Sequence, residues 1–216
     1  MTIGHHPGDP LLAAFAAGTL DLGQHITIAT HLVQCARCRA WADTVEHIGG
    51  AVLDALPPSP LAADAQAQIM ARLDSPAPQP AAPLQRAGDL TGTPGLPPFV
   101  RDFSAGKWSW VAPGLDLRRI QLPAPSPTRV FLLRAAAGTK LLPHTHEGFE
   151  MTCVLAGSFH HDGKHYRPGD FDFGDSTVEH DVVIDAEEPC VCLIAMQGEL
   201  KLKGLLGALV QPFVSL

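Results

Sequence analysis

The sequence predicts an α + β chain of two domains, a small metal-stapled helical part followed by an antiparallel β-barrel or sandwich. Three observations carry that reading. Residues 9–73 show helix caps and apolar residues at i, i+4 spacing. Residues 75–98 are Pro-rich and lack apolar periodicity. After Pro98 the apolar residues alternate with period two in short runs separated by turn signals. The expected division is therefore 1–74, a linker at 75–98, and 99–216.

The first helix opens at Asp9-Pro10, with Asp9 as the expected cap and Pro10 at the first helical position, and Gly18 closes it. Asp21 opens a second helical region that runs toward His47, where Gly49-Gly50 is expected to interrupt it. Residues 51–56 add a turn or two before Pro57-Pro58 stops the chain. Ser59 can cap a further helix from Pro60 to Leu73, with Leu61, Ala65, Ile69 and Leu73 on one stripe. That stripe can pack on its own bundle or serve as a docking face for another protein.

Inside the second helical region stands His31-Leu-Val-Gln-Cys35-Ala-Arg-Cys38, an H-x-x-x-C-x-x-C pattern. At about 100° per residue these three side chains would fall within an arc of about 60° on a continuous helix. One imidazole and two thiolates suit zinc, which needs a fourth partner. His5, His6, His25 and His47 are the candidates. His25 and His47 point away from the ligand face, whereas the entry segment can fold over it, with His6 preferred and His5 second. A structural metal is a common way to stabilise a core of some 70 residues.

The β half carries its chemistry in Gly138-x5-His144-x-His146-x3-Glu150-x6-Gly157. Two histidines two apart share one face of a strand, and Glu150 shares it too if the strand continues. Gly163 and the turn Arg167-Pro168-Gly169-Asp170 follow, and His180 lies beyond them. Three imidazoles and a carboxylate are a borderline set that suits zinc, iron, manganese, nickel or copper. His160, His161 and His165, around a hairpin tip, are expected to be exposed. Cys190 and Cys192 share one face of an apolar strand, either as small core residues or as a redox-sensitive pair near the metal. Cys153 reads as core. Residues 205–210 form an apolar run that is expected to be covered.

Charge and composition narrow the function. The net charge is −7, and residues 1–74 carry three Arg, no Lys and seven acids. A nucleic-acid surface is disfavoured and a basic protein partner is favoured. The start Met-Thr-Ile-Gly-His-His does not resemble a secretion signal, and no apolar run approaches a membrane span, so the expected location is the cytoplasm. Five Cys, two of them in a metal pattern, do not form a disulfide framework.

The glycine-histidine-glutamate spacing closely resembles the first cupin motif, and Gly163, Pro168, Gly169 and His180 resemble the second, without its usual Asn after the His. This implies a small antiparallel barrel with a metal held by His144, His146, Glu150 and His180. Nearly the whole chain, from Met1-Thr-Ile-Gly-His-His-Pro7 through the H-x-x-x-C-x-x-C helix and the linker to the C-terminal cupin, resembles the ChrR-type zinc-binding anti-sigma factors. That resemblance implies N-terminal zinc ligands at His6, His31, Cys35 and Cys38, and a second zinc or other divalent metal in the cupin. It also implies an extracytoplasmic-function sigma factor as a one-to-one partner, released in response to singlet oxygen or related oxidants, with no enzyme activity, no direct nucleic-acid binding and no membrane. The alternative is a metal-dependent cupin dioxygenase or isomerase with a helical zinc-binding appendage.

Overall fold

A computed structural model describes residues 2–73, 76, 88, 90–123, 125–177 and 181–202. His180 and the apolar run at 205–210 lie outside the described residues, as does most of the Pro-rich stretch.

Among the described residues five helices come in chain order: α1 Asp9–Ala16, α2 Leu22–Gln34, α3 Ala36–Ala55, α4 Ala65–Leu73 and the single turn α5 Pro98–Arg101. Several boundaries differ from expectation, among them a break at Cys35 in the helical region expected to run on toward His47. Gly8 rather than Asp9 caps α1, placing Asp9 in the first turn. The pair Gly49-Gly50 does not interrupt α3, because intrahelical bonds on both sides outweigh the ~1 kcal/mol that each glycine costs. The last helix begins at Ala65 rather than Pro60.

The strands are β1 Ser104–Ala105, β2 Ser109–Ala112, β3 Leu115–Gln121, β4 Arg129–Ala135, β5 His144–His146, β6 Phe149–Ala156, β7 Phe159–His161, β8 Lys164–Tyr166, β9 Phe171–Asp175, β10 Val183–Ile184, β11 Cys190–Gln197 and β12 Leu200–Leu202. All pairings are antiparallel. The large sheet runs β1-β3-β4-β11-β6-β9 with β2 beside β3, and it is accompanied by the ladders β10-β7-β8 and β12-β5. This is a cupin-like antiparallel fold. Among the described residues its ladders form three sheets and do not join into one closed barrel.

The central strand β11 shows how the core is divided. Val191, Leu193 and Ala195 face one apolar cluster, while Cys190, Cys192, Ile194 and Met196 face another. A strand buried on both faces reads as a continuous apolar run, as Cys-Val-Cys-Leu-Ile-Ala-Met does. The first cluster continues into the helices through Leu12, Ile26, Ile28 and Leu32. The helical part therefore docks on the sheet and shares its core. Leu90 and Leu96, inside the span expected to be a spacer without a core, are each 1 % exposed in that cluster. Their burial corrects the reading of residues 90–98 as linker.

Asp21 fastens this docking. Its side chain caps α2, accepting from Gly23 N at 2.9 Å and Gln24 N at 3.1 Å. It also accepts from Ser126 Oγ at 3.2 Å and Thr128 Oγ1 at 2.6 Å, just before β4. Asp21→Ala should lose about 1 kcal/mol of capping plus about 1–3 kcal/mol for the orphaned Thr128 hydroxyl. A urea unfolding curve with an unshifted midpoint would contradict this role.

Candidate metal centres and the contact between them

Cys35 does not lie within a helix. It is extended, at φ −100° and ψ 98°, and serves both as the C-cap of α2 and the N-cap of α3. The chain turns there, so the three pattern residues sit at a helix corner rather than along one face. Arg39 holds the corner, its Nη1 donating to the carbonyls of Leu32 and Val33, which α2 would otherwise leave open. The corner also brings the N-terminus of α3 beside both sulfurs, where its dipole favours negative charge.

His6 closes this group. Its Nδ1 is 3.4 Å from the sulfurs of both Cys35 and Cys38. The ligand atoms of His6, His31, Cys35 and Cys38 all lie within 4.8 Å of one another. His5 is turned away, its ring stacked on Tyr166 at 4.2 Å. His25 stacks on Phe15 at 4.4 Å, and His47 is exposed on α3.

The donor atoms of this tetrad fit a metal. His31 is fully buried, and burial lowers its pKa to about 4, so its ring is neutral. Its Nδ1 lies 2.7 Å from the carbonyl of Gly169. A carbonyl only accepts, so the ring proton sits on Nδ1. That leaves a lone pair on Nε2, a buried atom with no hydrogen-bond partner. Burial and the neighbouring Cys35 push the Cys38 thiol up to about 12. Two buried sulfurs side by side become thiolates only when a cation compensates them. A neutral imidazole with an orphaned nitrogen beside two such sulfurs is the environment zinc requires.

The Gly169 carbonyl belongs to the β8–β9 turn of the cupin-like fold, so the helical site and the β half meet there. Gly169 has φ +90°, and a Cβ on it would stand 2.8 Å from Ile3 Cδ1. The next residue, Asp170, is 3 % exposed and accepts from Gly4 N at 2.7 Å, His5 N at 3.0 Å and Arg167 N at 2.8 Å. Phe171 N in turn donates to the His5 carbonyl at 3.1 Å. The turn thus grips residues 3–6, the segment that delivers His6.

In the β half, His144 and His146 are buried on β5. Glu150 is not on the same strand, because the chain breaks at Glu147-Gly148 and Glu150 stands on β6. Even so, its Oε2 is 3.7 Å from His146 Nε2. His144 Nδ1 donates to the Leu142 carbonyl at 2.8 Å. Burial lowers the His146 pKa to about 4. His144 and Glu150, with Thr152 and Asp172, open onto a mostly apolar cavity of about 130 Å³ whose lining includes Leu141, Phe159, Cys190 and Cys192. The two cysteine sulfurs are 3.7 Å apart and reduced, and Cys153 packs in the opposite cluster.

Of the histidines at the hairpin tip, His160 is exposed as expected and the other two are not. His161 is 5 % exposed, and His165 is half-buried. His160 and His165 converge on Asp185, a grouping not foreseen from sequence. Asp162-Gly163, both at positive φ, form a two-residue turn that pairs residue 160 with 165. The Asp-Gly signal was available to show this. Asp185 reaches the pair only through the pairing of β10 with β7, which no local pattern announces.

Comparison with known proteins gives a consistent result. The family model described as the ChrR cupin-like domain matches residues 97–200. The anti-sigma-E factor ChrR of Cereibacter sphaeroides is 34% identical over 213 residues, covering 99% of each chain. The crystal structure of Rhodobacter sphaeroides SigE in complex with the anti-sigma ChrR superposes with a TM-score of 0.71 at 31% identity, covering 91% of this chain and 100% of that one.

Proposed function

The chain belongs to the ChrR family of anti-sigma factors, and on that premise we propose that its helical first part binds and inhibits an extracytoplasmic-function sigma factor, one to one. The observation that carries this reading is an apolar face with nothing on it. Helix α4 buries none of its residues. Leu61, Ile69 and Leu73 are 83%, 57% and 71% exposed, and Val52, Leu53 and Leu56 at the end of α3 are exposed with them. So many large apolar side chains open to water in one region mark a binding surface. The helix does not pack on its own bundle, so the docking reading of its stripe is the one taken here.

His6, His31, Cys35 and Cys38 would hold a structural zinc, a closed four-donor site that fixes the entry segment to the α2–α3 corner. His144, His146 and Glu150, with His180, would hold a second divalent metal in the cupin. That part is needed for release in response to singlet oxygen or related oxidants. Its turn at residues 167–171 touches both His31 and the segment bearing His6, so a change in the cupin has a direct path to the first site. Cys190 and Cys192 beside the cavity are reduced sulfurs within reach of an oxidant that enters it. The family is regulatory rather than catalytic, so the enzyme alternative is not taken. No helix among the described residues is long and apolar enough to cross a membrane, in keeping with a cytoplasmic regulator.

The test is co-purification of the full chain with candidate sigma factors, compared with Ile69→Asp and Leu73→Asp. These substitutions remove nothing from a core, so thermal stability should hold within about 0.5 kcal/mol. A desolvated anchor is worth on the order of 2 kcal/mol or more, so recovery of the complex should fall at least tenfold. Undiminished recovery with both variants would place the interface elsewhere.

A further inference from the structure

We propose that His160, His165 and Asp185 form a third divalent-metal site, separate from both centres above, for zinc or a similar borderline cation. His160 on β7 and His165 on β8 are directly paired in register, and their rings stack at 4.2 Å with planes 12° apart. Both Nε2 atoms face one carboxylate: His160 Nε2 is 3.0 Å from Asp185 Oδ1, and His165 Nε2 is 2.8 Å from Asp185 Oδ2. The three ligand atoms lie within 4.8 Å of one another. Two imidazoles and a carboxylate form a borderline set with positions left for water, as suits a cation held at a surface.

The carboxylate is prepared for this task. The Ser158 hydroxyl donates to Oδ2 and holds the Asp185 carboxyl below its usual range. The backbone of Asp185 is tied on both sides, its N–H to the Ser158 carbonyl at 3.1 Å and its carbonyl to Gly138 N at 3.0 Å. The ligands therefore need little rearrangement to meet a cation. Serine occupies the outer position that, in metal sites generally, orients the ligand beneath it.

The location gives the site a consequence. Gly138 opens the motif that carries His144 and His146, so a cation on Asp185 would brace that loop against the hairpin. On the other side, the ring of His5 donates from Nε2 to the His165 carbonyl at 3.2 Å. The hairpin therefore supports the segment that brings His6 to the first centre. A cation here would stiffen the β half where it bears on the helical part.

The experiment is a zinc titration of the full chain, with free zinc buffered in the micromolar range, bound metal counted, and melting followed in parallel. Wild type should bind one more zinc than His160→Ala or His165→Ala, and its melting temperature should rise as this zinc binds. Ser158→Ala should keep the site but weaken it about 10–100-fold, as loss of an outer-shell partner does elsewhere. His47→Ala, a distant exposed histidine, should match wild type. His160 is half-exposed, so its replacement should leave the fold intact even if the His165 variant is perturbed. Equal zinc counts in wild type and the His160 variant, or binding that never saturates, would overturn the proposal and leave a hydrogen-bonded His–Asp cluster.

Discussion

Replacing Cys38 with alanine is expected to remove the N-terminal zinc and the sigma-factor complex together. Cys38 is 2 % exposed, and its sulfur is one of two that face His6 Nδ1. Structural zinc in small domains contributes on the order of 10–16 kcal/mol through four donors. Losing one donor should therefore cost about 3 kcal/mol, roughly a hundredfold in zinc affinity. The remaining donors would leave an open coordination position in a buried corner, and His6 would no longer be drawn against α3. The helices should persist, because Leu12, Ile26, Ile28 and Leu32 still pack on the sheet. What should fail is the relative placement of α2, α3 and the entry segment, and with it the face offered to the partner. The measurement is zinc content and complex recovery for Cys38→Ala beside Cys153→Ala, a buried thiol outside the cluster. The Cys153 variant should lose stability but keep both zinc and partner. Loss of zinc with binding intact would show that the staple is irrelevant to the sigma factor.

The residue types at this centre were legible because metal chemistry restricts them so tightly. His31, Cys35 and Cys38 were singled out by spacing, and the glycine-histidine-glutamate run announced the β half before any strand was placed. The geometry was less legible. Residues 31–38 carry no sequence signal for a break and read as one helix, yet the turn at Cys35 is what lets both sulfurs meet His6. That turn depends on Arg39 satisfying the carbonyls of Leu32 and Val33, a tertiary detail that periodicity does not carry. Leu90 and Leu96 were hidden by their surroundings: two leucines among prolines, glycines and threonines show no period, yet each fills a slot in the shared core. The contact between the halves was the least visible of all. Gly169 and Asp170 read as an ordinary turn after a hairpin, and nothing local says that the turn receives residues more than 130 positions earlier.

That contact supports the prediction with the broadest consequence. Asp170→Ala should weaken N-terminal zinc binding although Asp170 lies in the β half and is not among the candidate ligands. Its carboxylate accepts from Gly4 N, His5 N and Arg167 N. Hydrogen bonds to a charged group are worth about 1.5–3 kcal/mol each, and part of this is recovered as the freed N–H groups meet water. A net loss of about 3–5 kcal/mol is therefore expected, concentrated on residues 3–6 and on the turn. His6 would then have to be ordered at the moment of binding rather than beforehand, and the Gly169 carbonyl that fixes the His31 tautomer would lose its support. Zinc affinity should fall by about 10–100-fold, the range seen when outer-shell partners are removed. Asp170→Asn, which keeps one acceptor oxygen, should fall in between. Competition with a chelator reads the affinity, and amide exchange at Gly4 and His5 reports the release of the segment. Coupling of this kind is reciprocal: if the turn holds the zinc site, filling the zinc site must hold the turn. Amide exchange at Asp170 and Phe171 should therefore quicken when the N-terminal zinc is stripped from the otherwise intact chain. If Asp170→Ala released zinc no faster than wild type, the two halves would be neighbours without communication, and a signal from the cupin would need another route.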